Sequence, residues 1–574
     1  MGSYKYCICF TRKFVWRAAA PPPDVRQTFV EYSEGAAQMG PDQLRRFLAE
    51  AQGQADATHA DAERIIEVLL HRRRRCHNFP AILSRPGISL DDFFHFLFSD
   101  DLNPPIRSQV HQDMSLPLSH YYIYTGHNSY LTGNQLSSDS SDIPIIKALQ
   151  RGVRVIELDM WPNSTKDDVL IYHGRTLTSP VEMIKCLRSI KEFAFCASSY
   201  PVVITLEDHL TPDLQAKVAE MVTQTFGDML YYPKSDSLEE FPSPESLKNR
   251  IIISTKPPKK YFESKTVEDK QDDLQQGSND EAWETNTADL QALHVSHDKN
   301  SGPEYRRIIT VHAGKPKGRT RDALKADTDK VRRLSLSEQQ IERAAELYAL
   351  DLVRFTQKNI VRVYPKGTRF NSSNYCPLPG WLHGAQMVAL NMQSLWQGYG
   401  RSLWLMQGLF RANGGCGYVR KPDFLMNIGP QAAVSNPEAS LPVKITLKVK
   451  IYMGDGWHKD FSRTHFDVYS PPDFYAKVEI AGVPADIKTK RTRTRQDDWM
   501  PVWGEEFSFP LTVPELALLR IEACEYNMSD MDDFGGQTCL PVWELKPGIR
   551  AVPLHDRKGN KYNSVRLLMR FQFV

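Results

Sequence analysis

Between residues 112 and 260 the chain repeats one rhythm: a short apolar run, a polar loop, then a stretch with helical spacing. The apolar runs are YYIYT, VRVIELD, VLIYH, PVVITLE and RIIIST, and PVEMIKCLRSIKEFAF and DLQAKVAEMVTQTF supply the helical pattern. Strands buried on both faces read as nearly continuous apolar runs, and helical crossovers make their neighbours parallel. The spacing therefore predicts parallel βα units of the kind that close into a (β/α)8 barrel.

The polar residues at the ends of these runs sit where such a barrel does its chemistry. TGHNSYL carries His127 and Asn128, VRVIELDMW carries Glu157 and Asp159, VLIYHGRTLTS delivers His173, and VVITLEDH carries Glu207. Side chains two apart in a strand share a face, so Glu157 and Asp159 project together while Val155, Ile156 and Leu158 help pack the strand. Carboxylates and an amide oxygen are hard ligands of the kind calcium takes. Two histidines beside them suit acid and base work in a hydrolytic reaction. All of these residues fall at C-terminal strand ends, the face on which (β/α)8 barrels build active sites.

A chain of 574 residues calls for three or four domains. Hydrophobic content of 41% and charged content of 24% are those of a soluble globular protein. Lys and Arg number 71 against 69 Asp and Glu, a net charge of +2, so global charge points to no partner and no nucleic acid is expected. Nine cysteines without regular spacing argue for a reducing compartment and against a disulfide framework. No signal-peptide core and no apolar run of membrane-spanning length is present, so any membrane is met from its surface. Residues 1–20 read as a tail. Gly2 is placed for myristoylation but Tyr6 stands where Ser or Thr is wanted, and Cys7 and Cys9 beside Lys5, Arg12 and Lys13 form either a palmitoylated basic anchor or an incidental pair.

Residues 21–108 read as helical in DQLRRFLAEAQ, DAERIIEVLLHRRR and SLDDFFHFLFSD, like half of an EF-hand-like pair that packs on the next domain. No D-x-[DN]-x-[DN]-G loop is present, so calcium is not expected there. Arg72 to Arg75 are a lipid-facing patch or a solvated helix end. Residues 261–301 form a polar, acidic, weakly periodic linker. Over residues 302–425 RRIITVHAGK, NIVRVYPKG and AQMVALNMQ restore the strand pattern, so one barrel interrupted by an insert is expected. After a linker at 426–440, residues 441–574 hold mostly alternating strands separated by turn residues, the pattern of an antiparallel β-sandwich. Asp473, Asp497, Asp498, Glu525, Asp530, Asp532 and Asp533 gather in its loops, as a calcium site or as ordinary turn residues.

TGHNSYLTGNQL, VRVIELDMWP, YHGRTLTSP, LKNRIIISTK, VYPKGTRFNSSNY, NGGCGYVRKPDFL and DDFGGQTCLPV, in that order, resemble phosphoinositide-specific phospholipase C. The resemblance covers nearly the whole chain beyond the first twenty residues and implies an EF-hand-like region, an X half-barrel, a linker, a Y half-barrel and a C2 domain. With no pleckstrin-homology domain before the helices, the arrangement is similar to the short plant form. It implies calcium-dependent hydrolysis of phosphatidylinositol 4,5-bisphosphate and related lipids to inositol trisphosphate and diacylglycerol through a cyclic phosphate. By the same resemblance Asn128, Glu157, Asp159 and Glu207 hold the calcium, His127 stabilises the phosphate, His173 protonates the leaving oxygen, and Glu157 is also a base for the 2-hydroxyl. Lys256, Ser335, Arg362 and Tyr364 match headgroup contacts, while Ser254 stands where animal members carry a further lysine.

In the C2 domain Asp473, Asp497, Glu525, Asn527 and Asp533 match calcium positions, with Glu525 and Asn527 departing from the usual aspartates. The run KTKRTRTR, Lys488 to Arg495, alternates charge and threonine, which makes either a basic face for anionic lipid or a charged edge strand. NMQSLWQGYG is longer than expected and brings Leu395 and Trp396 to a loop that could touch lipid. The implied protein is a monomer, in the cytoplasm and peripherally at the plasma membrane. The acidic linker, near the active-site mouth, is expected to be repelled by an anionic bilayer and to leave the site open only there. Two other readings stay open: a glycerophosphodiester hydrolase on a related barrel, opposed by Lys256, Arg362, Tyr364 and the C2 domain, and a silent phosphoinositide-binding scaffold, opposed by the intact His127 and His173.

Overall fold

The computed structural model describes residues 2–7, 10–14, 20–76, 87–235, 238–256, 303–314, 319–325, 330–393, 400–426, 441–527 and 531–574. The expected acidic linker and the Leu395–Trp396 loop lie outside these residues. The chain divides into two compact units. One takes Asp113–Tyr375 with His383–Trp396, the other Met1–Gln112, Cys376–Leu382 and Gln397–Val574.

The first unit is a closed barrel of eight parallel strands. The first strand runs through Tyr121–Ile123 and Gly126–His127. Val155–Pro162, Val202–Asp208, Ile251–Thr255, Ile309–Gly314, Arg333–Ser337 and Ile360–Tyr364 follow in spatial and sequence order. The eighth strand, Met387–Val388 and Leu390–Asn391, closes the ring by pairing Leu390 with Gly126 and Asn391 with His127. On its other side the first strand meets the second through the parallel bridge Thr125–Val155.

Local sequence explains the elements. Val202 to Leu206 are all buried, as a strand covered on both faces requires. Pro212 opens the helix Pro212–Phe226, where its missing N–H is no loss. Ser337 and Gln340 form a capping box that starts the helix Glu338–Lys358. At the foot of the second strand Arg154 is fully buried, and its guanidinium donates to the carbonyls of Gly152, Ala194, Ser198 and Tyr200 at 2.7–3.3 Å.

One expected barrel strand is something else. VLIYH does not join the parallel ring: Val169–Ile171 folds back antiparallel on Met160–Pro162. The connection is too short for a crossover, which needs a dozen or more residues. Instead Asn163 Oδ1 accepts from the N–H groups of Asp167 and Asp168 and holds a tight turn. The missing position in the ring is filled by Arg333–Ser337, whose short polar alternation does not read as a buried strand.

The second unit joins helices and an antiparallel sandwich. Eight strands from Ile445–Asp455 to Lys561–Phe573 form two four-stranded leaves linked through the pair Gln537–His555. Residues from both leaves, among them Val449, Trp457, Phe474, Ile521, Leu567 and Phe571, make the core. The helices Pro23–Tyr32, Pro41–Glu50, His59–Cys76 and Leu90–Leu97 precede it, and the loops between them are bridged by Met39 and Ile88. The sequence reading packs these helices on the domain next in the chain. They share a core with the sandwich, where Phe47, Ile66 and Phe93 cluster with Tyr452, Met453, Ile549 and Leu568. Buried Arg550 ties this seam, donating to Asn103 Oδ1 at 2.8 Å and to the carbonyl of Gln52 at 2.5 Å.

Three smaller expectations also change. Gly2–Cys7 and Phe10–Phe14 pair as an antiparallel hairpin rather than a tail. Arg72 and Arg73 are engaged by Asp101 and Asp92, so these two do not form a free lipid-facing patch. The basic strand spans only Lys488–Arg491, an exposed sheet edge. It ends where the Thr492 side chain turns inward to accept from the N–H of Ala476.

Candidate active site

The barrel places its chemical groups at one mouth. Glu157 and Asp159 leave the second strand and Glu207 the third, in register, with Asp159 opposite Glu207. One carboxylate oxygen from each lies within 4.8 Å of the others. That separation is close to twice a calcium–oxygen distance of about 2.3–2.6 Å, so one ion of that size can touch all three. Asp159 Oδ1 is buried and has no hydrogen-bond partner, while Oδ2 accepts from Tyr130 Oη at 2.6 Å. Burial, then the charges of Glu207 and Glu157, push the Asp159 carboxyl well above the usual carboxylate range. An orphaned oxygen in a crowded acidic cluster fits a hard divalent cation.

Asn128 has φ 42, a left-handed conformation that asparagine tolerates better than most residues. The backbone there aims the Asn128 N–H at Glu157 Oε2, 3.3 Å away. Its side-chain amide donates to Gln135 Oε1 at 3.2 Å. Glu157 Oε2 also meets Arg362 Nη2 at 2.5 Å, with both side chains buried.

The two histidines are held alike. His173 Nδ1 lies 2.7 Å from the carbonyl of Gln135, which can only accept, so the ring proton is on Nδ1. His127 Nδ1 lies 2.9 Å from Asn391 Oδ1. That amide is oriented by Nδ2 donating to the carbonyl of Ser373 and by Oδ1 accepting from Gln135 Nε2 at 3.1 Å, so His127 also donates through Nδ1. Each ring therefore keeps Nε2 for chemistry. Burial holds the His127 pKa below the ordinary histidine value, with Glu157 opposing and Arg362 adding to the shift. The turn bearing His173 is fixed by Thr178, whose hydroxyl accepts from the His173 N–H, and by Gly174, where an added Cβ would meet Trp161 at 1.9 Å.

The expected headgroup residues come from the fourth, sixth and seventh strands, and Arg362 reaches Glu157. Ser335 is buried in register with Arg362, and the Arg362 guanidinium stands 5.8 Å from the Tyr364 ring centre. Lys256 is exposed just beyond the fourth strand. Gln135 and Asn391 were not singled out by sequence reasoning. Gln135 lies inside the TGHNSYLTGNQL motif, but nothing local marks Asn391 as a partner of His127.

The sandwich loops are looser. Asp473 Oδ1 accepts from the Asp497 N–H at 2.8 Å, and Glu525 pairs in register with Asp533. Glu525 Oε2 is buried without a partner, and burial, followed by the Asp533 charge, raises its carboxyl to about 7. Among the described residues, the Glu157, Asp159 and Glu207 group is the one that converges for a metal; Asp473, Asp497, Glu525 and Asp533 do not close up in that way. Asn527 directs its backbone N–H to Asp532.

Three family descriptions match the chain. Residues 114–257 match the family described as phosphatidylinositol-specific phospholipase C, X domain, and residues 309–424 match its Y domain. Residues 445–555 match the C2 domain. The chain is 58% identical to phosphoinositide phospholipase C 6 of Arabidopsis thaliana over 100% of its own length and 98% of that protein. It is 33% identical to the mouse 1-phosphatidylinositol 4,5-bisphosphate phosphodiesterase delta-3 over 94% of this chain and 66% of that one. The crystal structure of S. officinalis PLC21 superposes with a TM-score of 0.72 at 24% identity, covering 96% of this chain and 68% of that one.

Proposed function

The chain belongs to the phosphoinositide-specific phospholipase C family, and from that premise we propose that it hydrolyses phosphatidylinositol 4,5-bisphosphate and related lipids in a calcium-dependent reaction. The products are inositol trisphosphate and diacylglycerol. The observation that carries this reading is the pair of imidazoles, each tethered through Nδ1, beside the trio of buried and mouth-facing carboxylates.

Asn128, Glu157, Asp159 and Glu207 are the residues to hold calcium. When bound, the ion lowers the pKa of the inositol 2-hydroxyl and offsets charge at the reacting phosphate. Glu157 accepts the 2-hydroxyl proton as that oxygen attacks phosphorus. His127, as the imidazolium, donates from Nε2 to a phosphoryl oxygen, with its other N–H already satisfied by Asn391. His173 gives its Nε2 proton to the diacylglycerol oxygen as the P–O bond breaks. The neutral ring left behind keeps its proton on Nδ1, the tautomer that the Gln135 carbonyl supports. In that state Nε2 can take a proton from the water that opens the cyclic phosphate. Lys256, Ser335, Arg362 and Tyr364 receive the phosphorylated ring.

No helix among the described residues is long and apolar enough to cross a membrane. The protein works as a monomer in the cytoplasm and at the plasma membrane, docking through the C2 domain. Exposed Val468, Tyr469 and Met531 border the loop carboxylates and supply an apolar tip beside a charged rim. Asp473, Asp497, Glu525, Asn527 and Asp533 are the candidate calcium positions there, and Lys488 to Arg491 add positive charge toward anionic lipid. Hydrolysis of phosphatidylinositol 4,5-bisphosphate vesicles across a calcium titration, beside His127→Ala protein, tests the reading. Calcium-dependent release of both products, lost in the variant, is expected. Vesicle binding without turnover at any calcium level would replace it with a lipid-binding scaffold.

A further inference from the structure

Arg333 opens the sixth barrel strand and is 6% exposed. Its Nε and Nη1 are buried and donate to nothing, and among the described residues the guanidinium forms no ion pair. Burial, then the like charge of Arg362, draws its pKa down to about 9, with Glu157 and Glu207 pulling the other way. It therefore remains a cation at neutral pH. A buried guanidinium with unmet donors is costly, and proteins keep such groups where an anion comes to them.

The register says which anion. Arg333 lies opposite Ala313 on the fifth strand, and Val311, two residues earlier, lies opposite Ser254 on the fourth. Ser335 lies opposite Arg362 on the seventh. Residues in register or two apart share a face, so Ser254, Ala313, Arg333, Ser335 and Arg362 line one wall, with Lys256 continuing the line beyond Ser254. Its neighbours along that wall, Ser254 and Ala313, carry small side chains and no charge. The mouth is thus polarised, with carboxylates on the second and third strands and cations on and beyond the fourth, sixth and seventh. Arg333 is not needed as a counter-ion to those carboxylates. Glu157 already holds Arg362 at 2.5 Å, and Glu207 is exposed with His209 at 3.4 Å.

We propose that Arg333 binds a phosphate carried on the inositol ring of the substrate, acting with Lys256 and Arg362, and so sets selectivity for ring-phosphorylated lipids. This rests on the phospholipase C reading above. A planar guanidinium fork matches two phosphate oxygens, and Ser254 then needs no charge of its own.

The test compares wild type, R333M and R333K on phosphatidylinositol 4,5-bisphosphate and on unphosphorylated phosphatidylinositol, each in phosphatidylethanolamine vesicles at saturating calcium. In R333M, kcat/KM on the bisphosphate is expected to fall about 10- to 100-fold, and about tenfold further than on the unphosphorylated lipid. Its melting temperature should not drop, because an unpaired buried charge has been removed. R333K, which keeps the charge without the fork, should lose less on the bisphosphate than R333M. Equal losses on the two lipids, no loss at all, or a greater loss in R333K than in R333M overturns the proposal, and if R333M folds poorly the comparison of the two lipids in R333K alone decides it. Wild-type protein inert on both lipids would instead remove the functional reading, and this proposal with it.

Discussion

Replacing Asn391 with leucine separates the support of an active-site histidine from the histidine itself. Asn391 Oδ1 accepts from His127 Nδ1 at 2.9 Å and from Gln135 Nε2 at 3.1 Å. Leucine has similar bulk and no acceptor, so the buried Nδ1–H of an imidazolium goes unmet. An unmet buried donor costs about 1–3 kcal/mol, with the upper end appropriate to a charged group. The Asn391 bond is one of the interactions that raise the His127 pKa, so its loss lowers that pKa further. Gln135 Nε2 keeps Ser372 Oγ at 3.0 Å, which confines the damage. The expected result is a kcat lower by about 10- to 100-fold with little change in KM, since each 1.36 kcal/mol is about tenfold. The pH profile should move too. His127 acts as the cation, so activity fails as pH rises through its pKa, and that limb shifts to lower pH in Asn391→Leu. Asn391→Asp keeps an oxygen acceptor and adds negative charge, so the same limb shifts to higher pH and most of kcat returns. Initial rates on phosphatidylinositol 4,5-bisphosphate vesicles, with a melting curve for each variant, measure all of this. A leucine variant within about twofold of wild type, or a limb that moves upward, refutes the argued role for a bond of this strength.

Calcium should raise the melting temperature of the wild-type protein, by an amount worth about 2.7 kcal/mol at a hundred times Kd. In Asp159→Asn the component from the barrel should vanish, and an undiminished shift would mean that the ion binds elsewhere. A different group sets an acid limit on folding. His555 is buried, its Nε2 accepts from Arg411 Nη2 at 2.7 Å, and burial, then the Arg411 charge, lowers its pKa to about 2. The unfolded histidine takes a proton near its ordinary value and the folded one does not. Stability should therefore be whole above about pH 6.5 and fall by about 1.4 kcal/mol per pH unit below it. Denaturant melts of His555→Gln should show a shallower decline over that window; an identical slope excludes His555 as its source. Deleting residues 264–300, the acidic linker expected to be repelled by an anionic bilayer, should raise turnover on lipid. Unchanged turnover would sink that idea.

What could be read from the chain, and what could not, divides along the range of the interactions involved. Glu157, Asp159 and Glu207 were legible because strand period is local: a carboxylate at the end of an apolar run must face the mouth once the run is a barrel strand. The same local logic misreads VLIYH, whose composition is that of a buried strand while the six residues before it permit only a hairpin. It also misses Arg333–Ser337, because a strand of alternating polar residues makes sense only when its inward face lines a binding site. Asn391 was beyond reach for a further reason. It meets His127 across 264 residues, at the seam where the first strand pairs with the last, and no local pattern encodes that meeting. The sandwich held a similar surprise, since the Phe-rich helices bury their faces on strands far along the chain. Barrel closure and this long-range packing are therefore responsible for more than stability. Closure positions the group that keeps His127 protonated on Nδ1, and the inward register of the sixth strand sets a cation opposite the carboxylates. A chain with every motif intact but that register slipped by one residue would point Arg333 away from the mouth, keep the proposed acid, base and metal ligands, and lose the wall proposed here to distinguish one headgroup from another.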